Sequence, residues 1–333
     1  MRYAYYPGCS LTHSAAPYDL SARAIAGPLG LALEEIEDWN CCGATEYISI
    51  NKAAAYALVG RNLALAARQD GLQDLVAPCS ACYLNLRKVD HYMGKYPDLR
   101  DQTNQALAAG GLHYDPGSLH IRHLLNVVVE DVGLEAIKSK VVRPLDGLRV
   151  APYYGCLIAR PQFNGGRAAS PERSGGESID PEYPMHLDHL LKNLGAEVVD
   201  FPLKTHCCGG HMTQISADTA YELIRRLLHN AAEYDADLIV AACPMCQLNL
   251  DAYQSQVNRH FGTDFHLPVL YFTQMIGLAL GMEPAALGIG REVVSAASAL
   301  AKIGKAAPAA PAAAPRRRRD DKALPMPRQR EEV

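Results

Sequence analysis

A set of five cysteines occurs twice in this 333-residue chain, and any fold it adopts has to accommodate that duplication. Each set is centred on an adjacent pair followed by glycine, Cys41-Cys42-Gly43 and Cys207-Cys208-Gly209. Cys9 precedes the first pair across 31 residues, and Cys79 with Cys82 follow it across 36. Cys156 precedes the second pair across 50 residues, and Cys243 with Cys246 follow it across 34. The two sets use all ten cysteines of the protein, a partition that scattered core thiols would not produce, so the cysteines read as ligands. The neighbourhoods repeat as well. Tyr5-Tyr6-Pro7-Gly8-Cys9 echoes Tyr153-Tyr154-Gly155-Cys156, and Cys79-x-x-Cys82 with Leu84-Asn85-Leu86 echoes Cys243-x-x-Cys246 with Leu248-Asn249-Leu250. A repeat of such long period fixes the architecture as two related halves, each holding one metal centre.

Helix and strand patterns alternate along both halves. Residues 3–6, 33–39 and 74–77 read as strands and 16–26, 51–69 and 79–92 as helices, with further helices over 96–111 and 120–141. The cycle restarts with a strand at 150–154, then helix at 185–194, strand at 197–201, helix at 219–234, strand at 238–242 and helices at 245–260 and 272–280. This order predicts an α/β fold of two tandem, pseudo-symmetric domains. Each is a small parallel sheet flanked by helices, with the ligands at the strand carboxyl ends. The domains span 1–145 and 146–285, leaving 286–333 as a helix remnant and a disordered Ala/Pro/Arg tail. Residues 163–184, rich in Gly, Ser and Pro, read as a loop insertion that accounts for the longer spacer of the second half.

Net charge is −4, and the segment from Lys305 onward carries eight Lys or Arg against four Asp or Glu, so the remaining body is at −8. That balance argues against nucleic acid as the main partner. The arginines at 316–319 read as a solvated charge block. No signal peptide pattern is visible, and the most apolar late stretch, 267–282, is too short and too interrupted to cross a bilayer. The chain reads as cytoplasmic, without direct membrane insertion. There thiols stay reduced, and Cys-x-x-Cys pairs point to metal or redox chemistry.

Glycine after each Cys-Cys pair lets the backbone turn sharply enough for two successive thiols to reach one site. Thiolates hold zinc or iron, so donor type leaves the metal open. A structural zinc closes with four ligands and each half offers five, which points to a larger or irregular iron–sulfur assembly. The other reading is a four-cysteine zinc or cubane site with one spare buried thiol. No dinucleotide fingerprint and no phosphate-binding loop are present, so electrons have to come from another protein.

In these residues the chain resembles the catalytic B subunit of heterodisulfide reductase, with its paired cysteine-rich CCG domains, over about residues 1–285. The resemblance implies a noncubane [4Fe-4S] cluster in each half. One would sit on Cys9, Cys41, Cys42, Cys79 and Cys82 and the other on Cys156, Cys207, Cys208, Cys243 and Cys246. It further implies reductive cleavage of a disulfide between the two clusters, each sulfur binding an iron, or the reverse oxidation of two thiols. The implied electron donor is a small ferredoxin-like subunit, itself fed by a flavoprotein. A different class of function is also open, an iron–sulfur electron-transfer or anchor subunit of a lactate/glycolate or succinate dehydrogenase complex. A third is a zinc-stabilised scaffold.

Among the remaining residues, His206 directly precedes the second Cys-Cys pair and His211 follows it, where the first half has Asn40 and Thr45. His206 is the candidate catalytic residue, a proton donor to a leaving thiolate. Its other reading is a hydrogen bond to a cluster sulfur or plain exposure. Lys204 reads as an offset to cluster charge, and Tyr5, Tyr6, Tyr153 and Tyr154 as core residues beside each cluster.

Overall fold

The computed structural model describes residues 1–44, 47–159 and 183–305. Its described strands form two four-stranded sheets in which every neighbour pair is parallel. The first sheet contains β1 (Arg2–Tyr5), β2 (Ala32–Glu35), β3 (Asp74–Ala77) and β4 (His120–His123), in the order β2-β1-β3-β4. The second contains β5 (Arg149–Tyr153), β6 (Glu197–Val198), β7 (Leu238–Ala241) and β8 (Val269–Tyr271), in the order β6-β5-β7-β8. The duplication read from the cysteines is therefore a duplication of sheet topology. β7 is a continuous Leu-Ile-Val-Ala run buried at every position, as a parallel strand covered on both faces requires.

Local chemistry sets the helix starts. The Asn51 side chain accepts from the Ala54 N–H at 3.0 Å and caps helix Lys52–Ala67, and proline opens helix Pro97–Ala108. The helices Ala16–Ala26 and Phe272–Ala279 pack against each other across the two halves, joined by a buried bond of 2.6 Å between the Ser21 and Thr273 hydroxyls.

Five expectations need correction, the simplest being the strand expected over 197–201, which stops at Val198. The segment expected as a helix over 120–141 begins as β4, and helix follows only from Leu124. Its strand is four residues long and runs without a breaker into Leu-Leu-Asn-Val-Val, whose helical spacing swamps the short alternation. β8 was not expected, for the same reason: three residues lead directly into the fully buried helix Phe272–Ala279. The strand expected over 33–39 stops at Glu35, and Asp38 takes a left-handed turn (φ 54°) before the cysteine pair. The helix expected over 245–260 is two helices, Pro244–Ala252 and Gln254–Phe261, joined at Tyr253. The inserted loop through residue 182, Thr45 and the arginines at 316–319 lie outside the described residues.

Residues 286–305 fold back over both halves. Leu287 is buried, Gly288 lies against Pro17, the Gly304 N–H donates to the Asp146 carbonyl at 2.8 Å, and Lys302 pairs with Asp237. No helix among the described residues is long and apolar enough to cross a membrane.

Candidate metal centres

In each sheet the strand order reverses beside the first strand, which opens a crevice at the carboxyl ends of β1 and β3 and of β5 and β7. Cys9 and Cys156 follow β1 and β5, and Cys79 and Cys243 follow β3 and β7 as the residues preceding helices Ser80–Lys95 and Pro244–Ala252. The two Cys-Cys-Gly turns close the crevices from the third side. Gly43 (φ 74°) and Gly209 (φ 96°) hold left-handed conformations there, and their N–H groups donate to Cys41 Sγ at 3.4 Å and to Cys207 Sγ at 3.3 Å. The glycine before the first cysteine has a different job. A Cβ on Gly8 would stand 2.8 Å from Cys82 Sγ, and one on Gly155 would stand 2.8 Å from Cys246 Sγ.

All ten predicted cysteines reach these two crevices, and none is in a disulfide. Cys9 Sγ lies 3.4 Å from Cys41 Sγ, Cys42 Sγ lies 3.5 Å from Cys82 Sγ, and in the second half Cys208 Sγ lies 3.6 Å from Cys246 Sγ. Cys156 neighbours Cys207, and the two sets approach each other at Cys79 and Cys243, whose thiols perturb one another's ionisation. Each set therefore has an outer and an inner edge. Cys9, Cys41 and Cys207 are exposed and Cys156 half-buried, whereas Cys42, Cys79, Cys82, Cys208, Cys243 and Cys246 are buried. Bonds from Cys42 and Cys9 hold the Cys41 thiol well below its ordinary range, and the same bond, with burial, pushes Cys9 up. At the inner edge Cys243 is held low by Cys246 and Cys79.

Of the four tyrosines expected beside the sites, two face them. Tyr6 and Tyr153 are pushed up by burial and then by four thiols of their own set, and their hydroxyls donate to the Asn40 and His206 carbonyls at 2.7 Å. Tyr5 and Tyr154 turn away, to Asp19 at 2.7 Å and Asp188 at 2.6 Å. Counting back three residues from Cys9 and from Cys156 gives the correct pair.

Sequence reasoning passed over a second matched pair. Asn85 Nδ2 donates to the Cys42 carbonyl at 3.1 Å and to that of Ala44. Asn249 Nδ2 donates to the Cys208 carbonyl at 3.1 Å, to the Gly210 carbonyl at 2.8 Å and to Cys208 Sγ at 3.5 Å. Each asparagine, three residues after the second cysteine of its Cys-x-x-Cys, ties down the Cys-Cys-Gly turn of its half. The signal was the repeated Leu-Asn-Leu. Asn249→Ala leaves two carbonyls without their donor and is expected to cost about 1–3 kcal/mol. A lower urea midpoint at unchanged slope checks this, and a midpoint equal to that of the parent chain contradicts the clamp.

Lys204 is not a loose counter-charge. Its side chain is 2% exposed, and its ammonium pairs with Asp188 at 3.1 Å and lies 3.7 Å from the Tyr183 ring centre. Its carbonyl accepts from the Tyr154 and Gly155 N–H groups at 2.9 and 3.1 Å, which shapes the turn that presents Cys156. His206 is exposed beside exposed Cys207, and His211 is half-buried at the start of the short helix Met212–Ile215.

Soft thiolate donors suit zinc or iron–sulfur groups. Among the described residues no three His, Cys, Asp or Glu side chains converge on one point as ligands of a single ion do. Five thiols around each crevice are one more than a closed structural zinc takes, a donor set that suits an iron–sulfur group.

The comparisons with known proteins agree with this arrangement. The model of the CCG cysteine-rich domain matches residues 3–87 and again 150–251. The B subunit of a ferredoxin:CoB-CoM heterodisulfide reductase from Methanosarcina mazei is 36% identical over 79% of this chain and 84% of that protein. A protein from Archaeoglobus profundus described as like the heterodisulfide reductase B subunit is 31% identical over 85% and 92%. An 8-methylmenaquinol:fumarate reductase membrane anchor subunit from Wolinella succinogenes is 34% identical over 88% and 97%. A crystal structure of a hypothetical protein from Helicobacter pylori shares the fold with a TM-score of 0.67 at 14% identity, over 88% of this chain and 52% of that one. Two tandem cysteine-rich CCG domains, built on matching sheets with matching thiol sets, place this chain in the family of heterodisulfide reductase B subunits.

Proposed function

We propose that the protein is the catalytic subunit of a heterodisulfide reductase-like complex in the cytoplasm. In this reading Cys9, Cys41, Cys42, Cys79 and Cys82 hold one noncubane [4Fe-4S] cluster, and Cys156, Cys207, Cys208, Cys243 and Cys246 hold the other. The reaction takes one disulfide, two electrons and two protons to two thiols, and it runs in reverse as thiol oxidation. A ferredoxin-like subunit supplies the electrons and a flavoprotein feeds that subunit. The clusters would contribute one-electron chemistry and iron with an affinity for sulfur. The chain's own residues do the rest: the glycine turns and asparagine clamps aim the thiols, and the exposed outer edges at Cys9 and Cys41 and at Cys207 admit the reactants. His206, exposed beside Cys207, hands a proton to a departing thiolate. The observation that carries the reading is the completeness of both thiol sets, since a disulfide presents two sulfurs.

The full-length match to a membrane anchor subunit favours a second reading, an electron-transfer or anchor subunit of a fumarate reductase-type complex. Anaerobic protein given a reduced ferredoxin and a small mixed disulfide separates the two. The first reading expects two thiols released per two electrons consumed. Electron uptake with no thiol released contradicts it and supports the second.

A further inference from the structure

The junction between the two thiol sets is built from backbone carbonyls. β3 and β7 end beside each other, so the carbonyls of Pro78 and Ala242, immediately before Cys79 and Cys243, point to one spot. Two buried carbonyls at one spot repel unless a donor stands between them. Tyr18 supplies it: its hydroxyl lies 3.0 Å from the Pro78 oxygen and 3.2 Å from the Ala242 oxygen, sharing one proton between the halves. Ser80 adds a donor 3.4 Å from the Ala242 oxygen, and the buried His123 ring lies behind it with Nε2 3.4 Å from the Ser80 hydroxyl. These donors all come from the first half. In the second, Pro244 stands where Ser80 does, and Tyr271, at the place of His123, sends its hydroxyl to Gln247 Oε1 at 3.2 Å.

Tyr18 is also laid on the second half by its ring. It is fully buried, stacks on Tyr271 with centroids 4.2 Å apart and planes at 10°, and meets Phe272 edge-on at 5.9 Å. The Ser21–Thr273 bond one turn later fixes the same helix. We infer that Tyr18 is a positioning residue that locks the two cysteine sets against each other at the Cys79–Cys243 contact. It thereby sets how strongly whatever the two sets hold is coupled. The coupling part rests on the proposed function; the positioning part does not.

Tyr18→Phe keeps the ring stack and volume and removes only the shared proton, so the chain folds and its iron and sulfide content stays at that of the parent. In loaded protein reduced stepwise, paramagnetic resonance of the parent shows spin–spin interaction between the two centres, and Tyr18→Phe weakens it while each centre keeps its own signal. In full-length protein stripped of metal, with helical circular dichroism unchanged, diamide oxidation links Cys79 to Cys243. Two electrons and two protons pass from the thiols to the diazene, which becomes a hydrazine. Peptide mass mapping should find this link in the parent and about fivefold less of it in Tyr18→Phe, the factor expected for one lost hydrogen bond. Equal linkage and equal spin interaction in both proteins overturn the role of Tyr18. A parent that forms other disulfides but not Cys79–Cys243 overturns the junction. Absence of iron sinks the proposed function, and the linkage measurement then still decides the positioning claim.

Discussion

Cys82→Ser is expected to halve the iron and acid-labile sulfide of the protein and to lower disulfide turnover by more than about a hundredfold, since losing even an outer hydrogen-bond partner of a metal ligand costs about 10–100-fold. Cys82 is buried, contacts Cys42 at 3.5 Å and faces Gly8 so closely that no Cβ fits between them. A serine hydroxyl is shorter and is not a soft donor, so nothing else reaches the place of that thiolate. The second set shares no thiol with the first and is expected to keep its own cluster, so the loss should stop at half. Cys246→Ser should give the mirror result. In the proposed reaction turnover needs both sites, so either variant alone is expected to lose it. Metal and sulfide analysis together with the thiol-release assay check this, and full iron content with undiminished turnover contradicts the assignment of Cys82.

The second large effect falls outside the cysteines. Lys204→Met leaves the Asp188 carboxylate buried without its cation, and breaking a buried pair from one side typically costs about 3–5 kcal/mol. Asp188 is also held by the Tyr154 hydroxyl at 2.6 Å, so the disturbance reaches the turn that carries Cys156. The double variant Lys204→Met, Asp188→Asn removes the orphaned charge while keeping an acceptor for Tyr154, and it should recover about 1 kcal/mol or more of that loss. Denaturation of the three chains gives the comparison. A single variant no less stable than the parent would show that the pair is not a structural element.

Cysteine spacing made the duplication, the parallel α/β architecture and the ten thiols legible, because a repeated Cys-Cys-Gly needs a repeated backbone to serve it. What spacing leaves open is where side chains point. Tyr5 and Tyr6 differ by one residue on the same strand path, and one step on a strand moves a side chain to the opposite face. The dipeptide echo therefore named four tyrosines where only Tyr6 and Tyr153 lie against the thiols. β4 and β8 were hidden because each is short and runs unbroken into an apolar helix. Asn85 and Asn249 were visible as a repeat, yet their role depends on a loop some 40 positions earlier in the chain. The Lys204–Asp188 pair and the Tyr18 bridge are tertiary facts, since Tyr18 reaches the Ala242 carbonyl across 224 positions, and no local pattern encodes such a contact.

Metal content decides whether each thiol set holds an iron–sulfur cluster. Anaerobically prepared protein should contain about eight irons and about eight acid-labile sulfides per chain, with a paramagnetic signal that changes on adding thiol. About two zincs per chain with little sulfide, the content of two closed structural sites, would contradict the account and leave a scaffold that shares only the fold of the reductase.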